Sequence, residues 1–289
     1  MEILCACDEG YVPHTATMLC SLLEHNAFVR VHLFHSSIGS RTLDKLIKFV
    51  VRYGGAITSY EMIADDFDYC QVDGWASIAN YYRLVAPHFI GEDIDKILYL
   101  DSDLIVRQSL DKLWNTDVTD RPLAAVADLG ETFRAEELGL PIGTKYFNSG
   151  VMLINLHFWR LHGVYDKLTS LIKHNNGKLK YWDQDALNMM FANDWIELPV
   201  LWNVQKNFQK NYWPHEPVIA HFCGDIKPWD NTEEYPCGPQ HYPVAREYRH
   251  FRRKTPWPHY KPRTRTPFVR RAKYLLQHAA YLLLSDRTR

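Results

Sequence analysis

Paired cysteines, a secretory leader and repetitive tracts are all missing from this sequence, and each absence removes a class of protein. The six cysteines, Cys5, Cys7, Cys20, Cys70, Cys223 and Cys237, show no C-x2-C spacing, which excludes a disulfide scaffold. Met1-Glu2-Ile3-Leu4-Cys5 opens with neither a basic n-region nor a secretory h-region, so a reduced, cytoplasmic setting is expected. No internal repeat or low-complexity tract interrupts the 289 residues, of which 46% are apolar and 23% charged. That balance buries a full core and excludes disorder and collagen.

A net charge of −1 conceals a division. Residues 252–289 carry eleven Lys/Arg and one acid, Asp286, whereas residues 1–251 carry 22 bases and 33 acids. An acidic body, 1–250, is therefore expected to wear a basic tail, 251–289. In that tail Trp257, Tyr260, Phe268 and Tyr274 alternate with Lys261, Arg263, Arg265, Arg270, Arg271 and Lys273. Apolar residues between Phe268 and Leu284 fall at helical spacing, in a stretch too short and interrupted to span a bilayer. Such a segment (252–284) suits an anionic membrane surface better than nucleic acid or docking on the acidic body.

The periodicity predicts an α/β chain. Strands are expected at Glu2 to Ala6, Val29 to Phe34, Ala56 to Tyr60, Ile97 to Leu100, Leu123 to Ala127, Val151 to Asn155, Ile196 to Leu198 and Val218 to Ala220. Helices are expected over Thr15 to His25, Ser40 to Tyr53, His157 to His174 and Asp183 to Phe191. This alternation implies a three-layer, mostly parallel sheet covered on both faces. Cys5 and Cys7 share one face of the first strand and read as buried core.

Ligands of open α/β sheets gather at the carboxyl ends of strands, so polar residues directly after apolar runs are the informative ones. Asp8, Asp101-Ser102-Asp103 and His221 meet that condition. Two carboxylates pinned between Ile97 to Leu100 and Leu104 to Val106 are costly unless something compensates their charge, and paired oxygen ligands suit a hard divalent ion. His221 ends another apolar run and can complete a metal site. Gly224 lets a diphosphate approach the backbone, and Lys227 can neutralise a phosphate oxygen.

Four segments together resemble the signatures of glycosyltransferase family 8: Ile97 to Asp103, Tyr146 to Asn155 around Asn148-Ser149-Gly150, Trp182-Asp183-Gln184-Asp185-Ala186-Leu187-Asn188, and His221 to Trp229. The resemblance runs in order from Met1 to about Trp229. That family holds retaining galactosyl- and glucosyltransferases of bacterial lipopolysaccharide, together with glycogenin. The resemblance implies a single-domain GT-A fold that uses a UDP-sugar, UDP-galactose or UDP-glucose, with Mn2+ or Mg2+. By matching position, Asp101, Asp103 and His221 would hold the metal; Gly224 and Lys227 the diphosphate, with Ser102 among the donor-binding residues; Asp8 the uridine; Arg83 the donor. Asn148, Asp183 and Gln184 would surround the donor sugar, with Asp128 nearby. The resemblance also implies a lipid-linked saccharide acceptor at the cytoplasmic face of the inner membrane.

Retention of configuration needs either a protein nucleophile or attack from the leaving-group side. Gln184 is a neutral amide and a weak nucleophile; Asp183 and Asp185 are chemically stronger, and the sequence leaves the choice open. Two other enzyme classes compete. A haloacid-dehalogenase phosphatase would use Asp101 after its first strand, whereas Asp101 follows about the fourth. A nucleotidyltransferase needs a Gly-rich loop after the first strand, where Asp8-Glu9-Gly10-Tyr11 stands. A non-catalytic sugar-binding module would have lost a metal ligand, and all three are present.

Overall fold

Residues 3–7 alternate between two apolar cores: Ile3, Cys5 and Cys7 belong to one cluster and Leu4 and Ala6 to the other. A strand covered on both faces reads this way, and it excludes water from both sides. Burial accordingly pushes the Cys7 thiol up to about 12, keeping it protonated. The computed structural model describes residues 1–70, 72, 77–131, 133–175, 177–205, 217–224, 227–229 and 242–260.

From this first strand, β1 (Glu2–Asp8), the chain passes through α1 (Val12–His25), β2 (Arg30–Ser36), α2 (Ser40–Arg52) and β3 (Ala56–Glu61). A 3-10 helix, Ile78–Val85, leads through α3 (Ala86–Phe89) into β4 (Lys96–Leu100), β5 (Leu104–Val106), α4 (Asp111–Trp114) and β6 (Leu123–Ala127). Next come α5 (Arg134–Glu137), β7 (Phe147–Asn155), α6 (Leu156–Leu161), α7 (Val164–His174) and α8 (Trp182–Met190). Short strands β8 (Ile196–Glu197), β9 (Val204–Gln205) and β10 (Ile219–His221) precede a closing helix, Tyr242–Lys254.

Among the described residues seven strands form the main sheet, in the order β3-β2-β1-β4-β7-β6-β8. β7 alone runs against its neighbours β4 and β6; the other four pairings are parallel. The α/β class and the mostly parallel sheet thus agree with the sequence reading, but the sheet is mixed. β10 is not one of its strands. The run expected at Val218 to Ala220 belongs instead to a three-stranded sheet, antiparallel to β5 and parallel to β9.

Besides the start of α1, at Val12 where Thr15 was expected, two further boundaries differ. The helix expected over His157 to His174 is divided into α6 and α7 by His162 and Gly163, and the strand expected from Val151 begins four residues earlier, at Phe147. The second difference matters, because it brings Asn148, Ser149 and Gly150 into a buried strand.

Helix α1 is buried on nearly every side, as a helix packed between two layers must be. Its hydroxyls are satisfied locally, with Thr17 Oγ1 donating to Pro13 O at 2.8 Å and Ser21 Oγ to Met18 O at 2.6 Å. Its outer side is covered by the closing helix, which crosses the 250/251 boundary drawn from composition. Tyr248 and Phe251 of that helix lie in the same core as α1, and Lys254 pairs with Glu24 at 2.7 Å. Beyond the helix, Tyr260 Oη donates to Gly10 O at 3.1 Å. The basic residues from Lys261 onward lie outside the described residues. No described helix is long and apolar enough to cross a membrane.

Candidate functional site

The carboxyl ends of β1 and β4 open on a cleft of about 400 Å3 whose wall includes Asp8, Arg83, Asp101, Asp103, His221 and Lys227. Asp101 is the first residue beyond β4, anchored by its N–H to Gly150 O at 2.9 Å. Its Oδ1 accepts from Tyr99 Oη at 2.7 Å and faces Arg83 Nη2 at 3.3 Å. Strand pairing supplies the third group: His221 stands opposite Leu104, and Phe222 N–H donates to Asp103 O at 2.9 Å. His221 Nε2 then lies 3.6 Å from Asp101 Oδ2 and 3.2 Å from Asp103 Oδ1. One donor atom from each of the three residues falls within 4.8 Å of the others. Two carboxylate oxygens and an imidazole nitrogen, gathered beneath a cleft, fit a divalent cation of the manganese kind.

Lys227 stands beside the cluster, donating to Asp103 Oδ2 at 2.5 Å and to Phe222 O at 2.9 Å. Burial works against the Asp103 charge, yet Lys227 and His221 outweigh it and hold the carboxyl well below the usual range. Burial likewise opposes the Lys227 ammonium, which Asp103 holds above its ordinary value. Gly224 turns the chain between His221 and Lys227 at φ +85°, a backbone that disfavours any side chain. Asp8 ends β1 with Oδ1 accepting from Tyr11 N–H at 3.1 Å and Oδ2 from Ser77 Oγ at 2.9 Å. Ser102 lies on the same wall, but its hydroxyl turns into the fold, 2.8 Å from Thr15 Oγ1 and 3.3 Å from Ala6 O.

Arg83 is not a surface residue. It is 2% exposed, with its guanidinium 4.0 Å from the Tyr99 ring centroid and Nη1 donating to Ser149 O at 2.6 Å. Its Nε proton goes to Asn80 O at 2.9 Å, so Asp183 Oδ2, 3.1 Å from the same Nε, receives charge but no hydrogen bond. Burial is the main cause that pushes the Asp183 carboxyl up to about 7; Asp101 adds to the rise and Arg83 opposes it.

Lining the same cleft, Asn148 Nδ2 donates to Asp128 Oδ2 at 3.1 Å, and Gln184 Nε2 to the same oxygen at 3.3 Å. Gln184 Oε1 accepts from Ser149 N–H at 3.0 Å. Asp128, Asn148, Asp183 and Gln184 therefore share one cleft with the cation site. Asp185 does not. It is 0% exposed, held at both oxygens by Arg134 and bonded by Tyr146 Oη at 2.7 Å and Tyr181 N–H at 2.9 Å. Helical spacing turns it inward from Asp183 and Gln184, so the nucleophile role considered for it from sequence is withdrawn.

Two contributors had no role in the sequence reading. Gly150 stood inside a recognised segment, but nothing local marks it as the space that Asp101 and His221 need; an added Cβ would stand 2.6 Å from Asp101 Oδ2 and strike the His221 ring. Asn203, fully buried, lies 2.9 Å through Oδ1 from His221 Nδ1. No motif surrounds it.

Comparisons with known proteins place the chain among relatives. The family described as glycosyl transferase family 8 matches residues 2–233. General stress protein A of Bacillus subtilis is 29% identical over 277 residues, covering 89% of this chain and 94% of that protein. The lipopolysaccharide 1,2-glucosyltransferase of Escherichia coli is 28% identical over 246 residues, covering 79% of this chain and 73% of that protein. Of the Streptococcus glycosyltransferases GlyA and Gly, which it also matches, the chain spans only 32% and 30%. In structure, it is similar to the galactosyltransferase LgtC in complex with donor and acceptor sugar analogs, with a TM-score of 0.78 and 25% identity over 94% of this chain and 100% of that one.

Proposed function

Because this chain belongs to glycosyltransferase family 8, we propose that it is a retaining hexosyltransferase of the GT-A type, moving galactose or glucose from a UDP-sugar to a saccharide acceptor. The observation that carries this reading is the convergence of Asp101, Asp103 and His221 on one cleft with Lys227 beside them. A phosphatase or nucleotidyltransferase has no such support from the family.

In this reading Asp101, Asp103 and His221 would hold Mn2+, which would supply positive charge against the negative charge of a departing diphosphate. Lys227 adds a second positive group on that side, and Asp103 keeps it protonated. Leaving-group departure then requires no Brønsted acid. Asp128, Asn148, Asp183 and Gln184 line the space assigned to the donor hexose, whose hydroxyls they can meet as donors and acceptors. Arg83, on the same cleft, sets its positive charge 3.3 Å from Asp101 Oδ1 and 3.1 Å from Asp183 Oδ2.

The acceptor assigned is a lipid-linked saccharide of the lipopolysaccharide core type. Two things support it: the likeness to the Escherichia coli lipopolysaccharide glucosyltransferase, and the basic, aromatic composition of 252–289, which suits an anionic membrane at the cytoplasmic face.

UDP release from UDP-galactose and UDP-glucose, measured with and without Mn2+, tests the activity. One of the two is expected to turn over only with metal. Asp103→Asn should then lower the rate about a hundred-fold or more, the equivalent of several kcal/mol of charge stabilisation. If neither donor reacts and UDP with Mn2+ leaves the melting temperature unchanged, the enzyme reading is wrong.

A further inference from the structure

The orientation of the buried Asn203 amide follows from two groups whose chemistry admits one role each. A backbone N–H can only donate, and that of Gly150 points at one end of the Asn148 amide at 3.1 Å, which is therefore the oxygen. A carboxylate only accepts, and Asp128 Oδ2 takes the other end at 3.1 Å, which is therefore the nitrogen. Asn148 Oδ1 also meets the Asn203 amide at 2.9 Å, so Asn203 presents its nitrogen there. Its oxygen is left facing His221 Nδ1 at 2.9 Å, and a carbonyl oxygen can only accept. The hydrogen of that contact belongs to Nδ1.

We propose that Asn203 is a positioning residue: it holds the imidazole proton of His221 on Nδ1, so that the Nε2 lone pair is the one offered between Asp101 and Asp103. The proposal rests on the metal site described above and deepens it. A histidine can bind a cation through only one unprotonated nitrogen, and the partner of the other nitrogen decides which. Without the Asn203 oxygen the proton is at liberty to move to Nε2, where it would face the cation and block the ligand position. The relay Gly150 to Asn148 to Asn203 to His221 therefore ties the tautomer to the backbone of β7, the strand whose Gly150 carbonyl also anchors Asp101.

Mn2+ affinity, read from the electron paramagnetic resonance signal of the free ion, tests this without turnover. Asn203→Leu should weaken binding roughly ten-fold or more. Asn203→Asp keeps an oxygen opposite Nδ1 but gives up the donor to Asn148, and should lose clearly less affinity than Asn203→Leu. Thermal melts report whether each variant folds. If Asn203→Leu does not fold, the native protein still decides the matter through the 15N shifts of His221 with diamagnetic Zn2+ in place of Mn2+, identified by their loss in His221→Gln. A protonated Nδ1 and an Nε2 without a proton are expected. The reverse pattern overturns the proposal, as does native affinity in a folded Asn203→Leu or equal loss in a folded Asn203→Asp. No Mn2+ binding by the native protein would instead defeat the metal site itself.

Discussion

At Gly150 the missing side chain leaves the space that two neighbours fill. The His221 ring and Asp101 Oδ2 occupy the volume a methyl would need, and both are fixed, one by Asn203 and the other by Tyr99 and Arg83. Gly150→Ala is expected to cost about 1–3 kcal/mol in urea unfolding, the usual penalty for overpacking a core, and to lower Mn2+ affinity in the same preparation. Native affinity in that variant would mean that the cradle can yield. Asp185 teaches the complementary lesson. Beside Asp183 and Gln184 in sequence it looks equally reactive, yet one more residue of helical rotation puts it against Arg134 in the core. Residue type was legible along the chain; the direction in which each side chain points was not, because it depends on where a helix starts and on what it packs against.

At the scale of elements, the joint between α1, the closing helix and the loop after β10 is built on one histidine. His14 Nδ1 lies 2.6 Å from Tyr248 Oη, and its ring stacks on Trp229 with centroids 3.7 Å apart. Burial, with a smaller push from Arg252, lowers its pKa to about 3. In an unfolded chain the value is about 6.5, so between these limits the unfolded state binds the extra proton. The stability that depends on the neutral ring is therefore complete above about pH 6.5 and is lost as the pH falls toward 3. Urea unfolding at pH 7 and at pH 4.5 should show a smaller drop for His14→Gln than for the native protein; equal drops would dissociate His14 from acid sensitivity. The apolar period located most strands and helices in advance. It missed the role of β10, since a three-residue apolar run carries no sign of which sheet it will join.

Over the whole molecule, the charge division survives but its border moves. Residues 252–260 are seated on the body through Lys254, Trp257 and Tyr260, so a truncation after residue 250 would cut a packed helix and confuse unfolding with loss of the tail. Removing 261–289 takes away eight bases and one acid and leaves the closing helix whole. The shortened chain is expected to keep its melting temperature and metal-dependent UDP release while losing flotation with vesicles rich in anionic lipid; undiminished flotation would refute the membrane role of that segment. Composition and local order were enough to read an α/β chain and to mark candidate segments with amino acids of the kind that can hold a divalent cation, because hydrophobic period and residue chemistry are written along the chain. Which of those amino acids meet was a matter of packing. His221 reaches Asp101 and Asp103 across more than a hundred residues through the pairing of β10 with β5, and Asn203 and Gly150 acquire their roles only there, since an orienting contact or an open volume exists between side chains and not within any one of them.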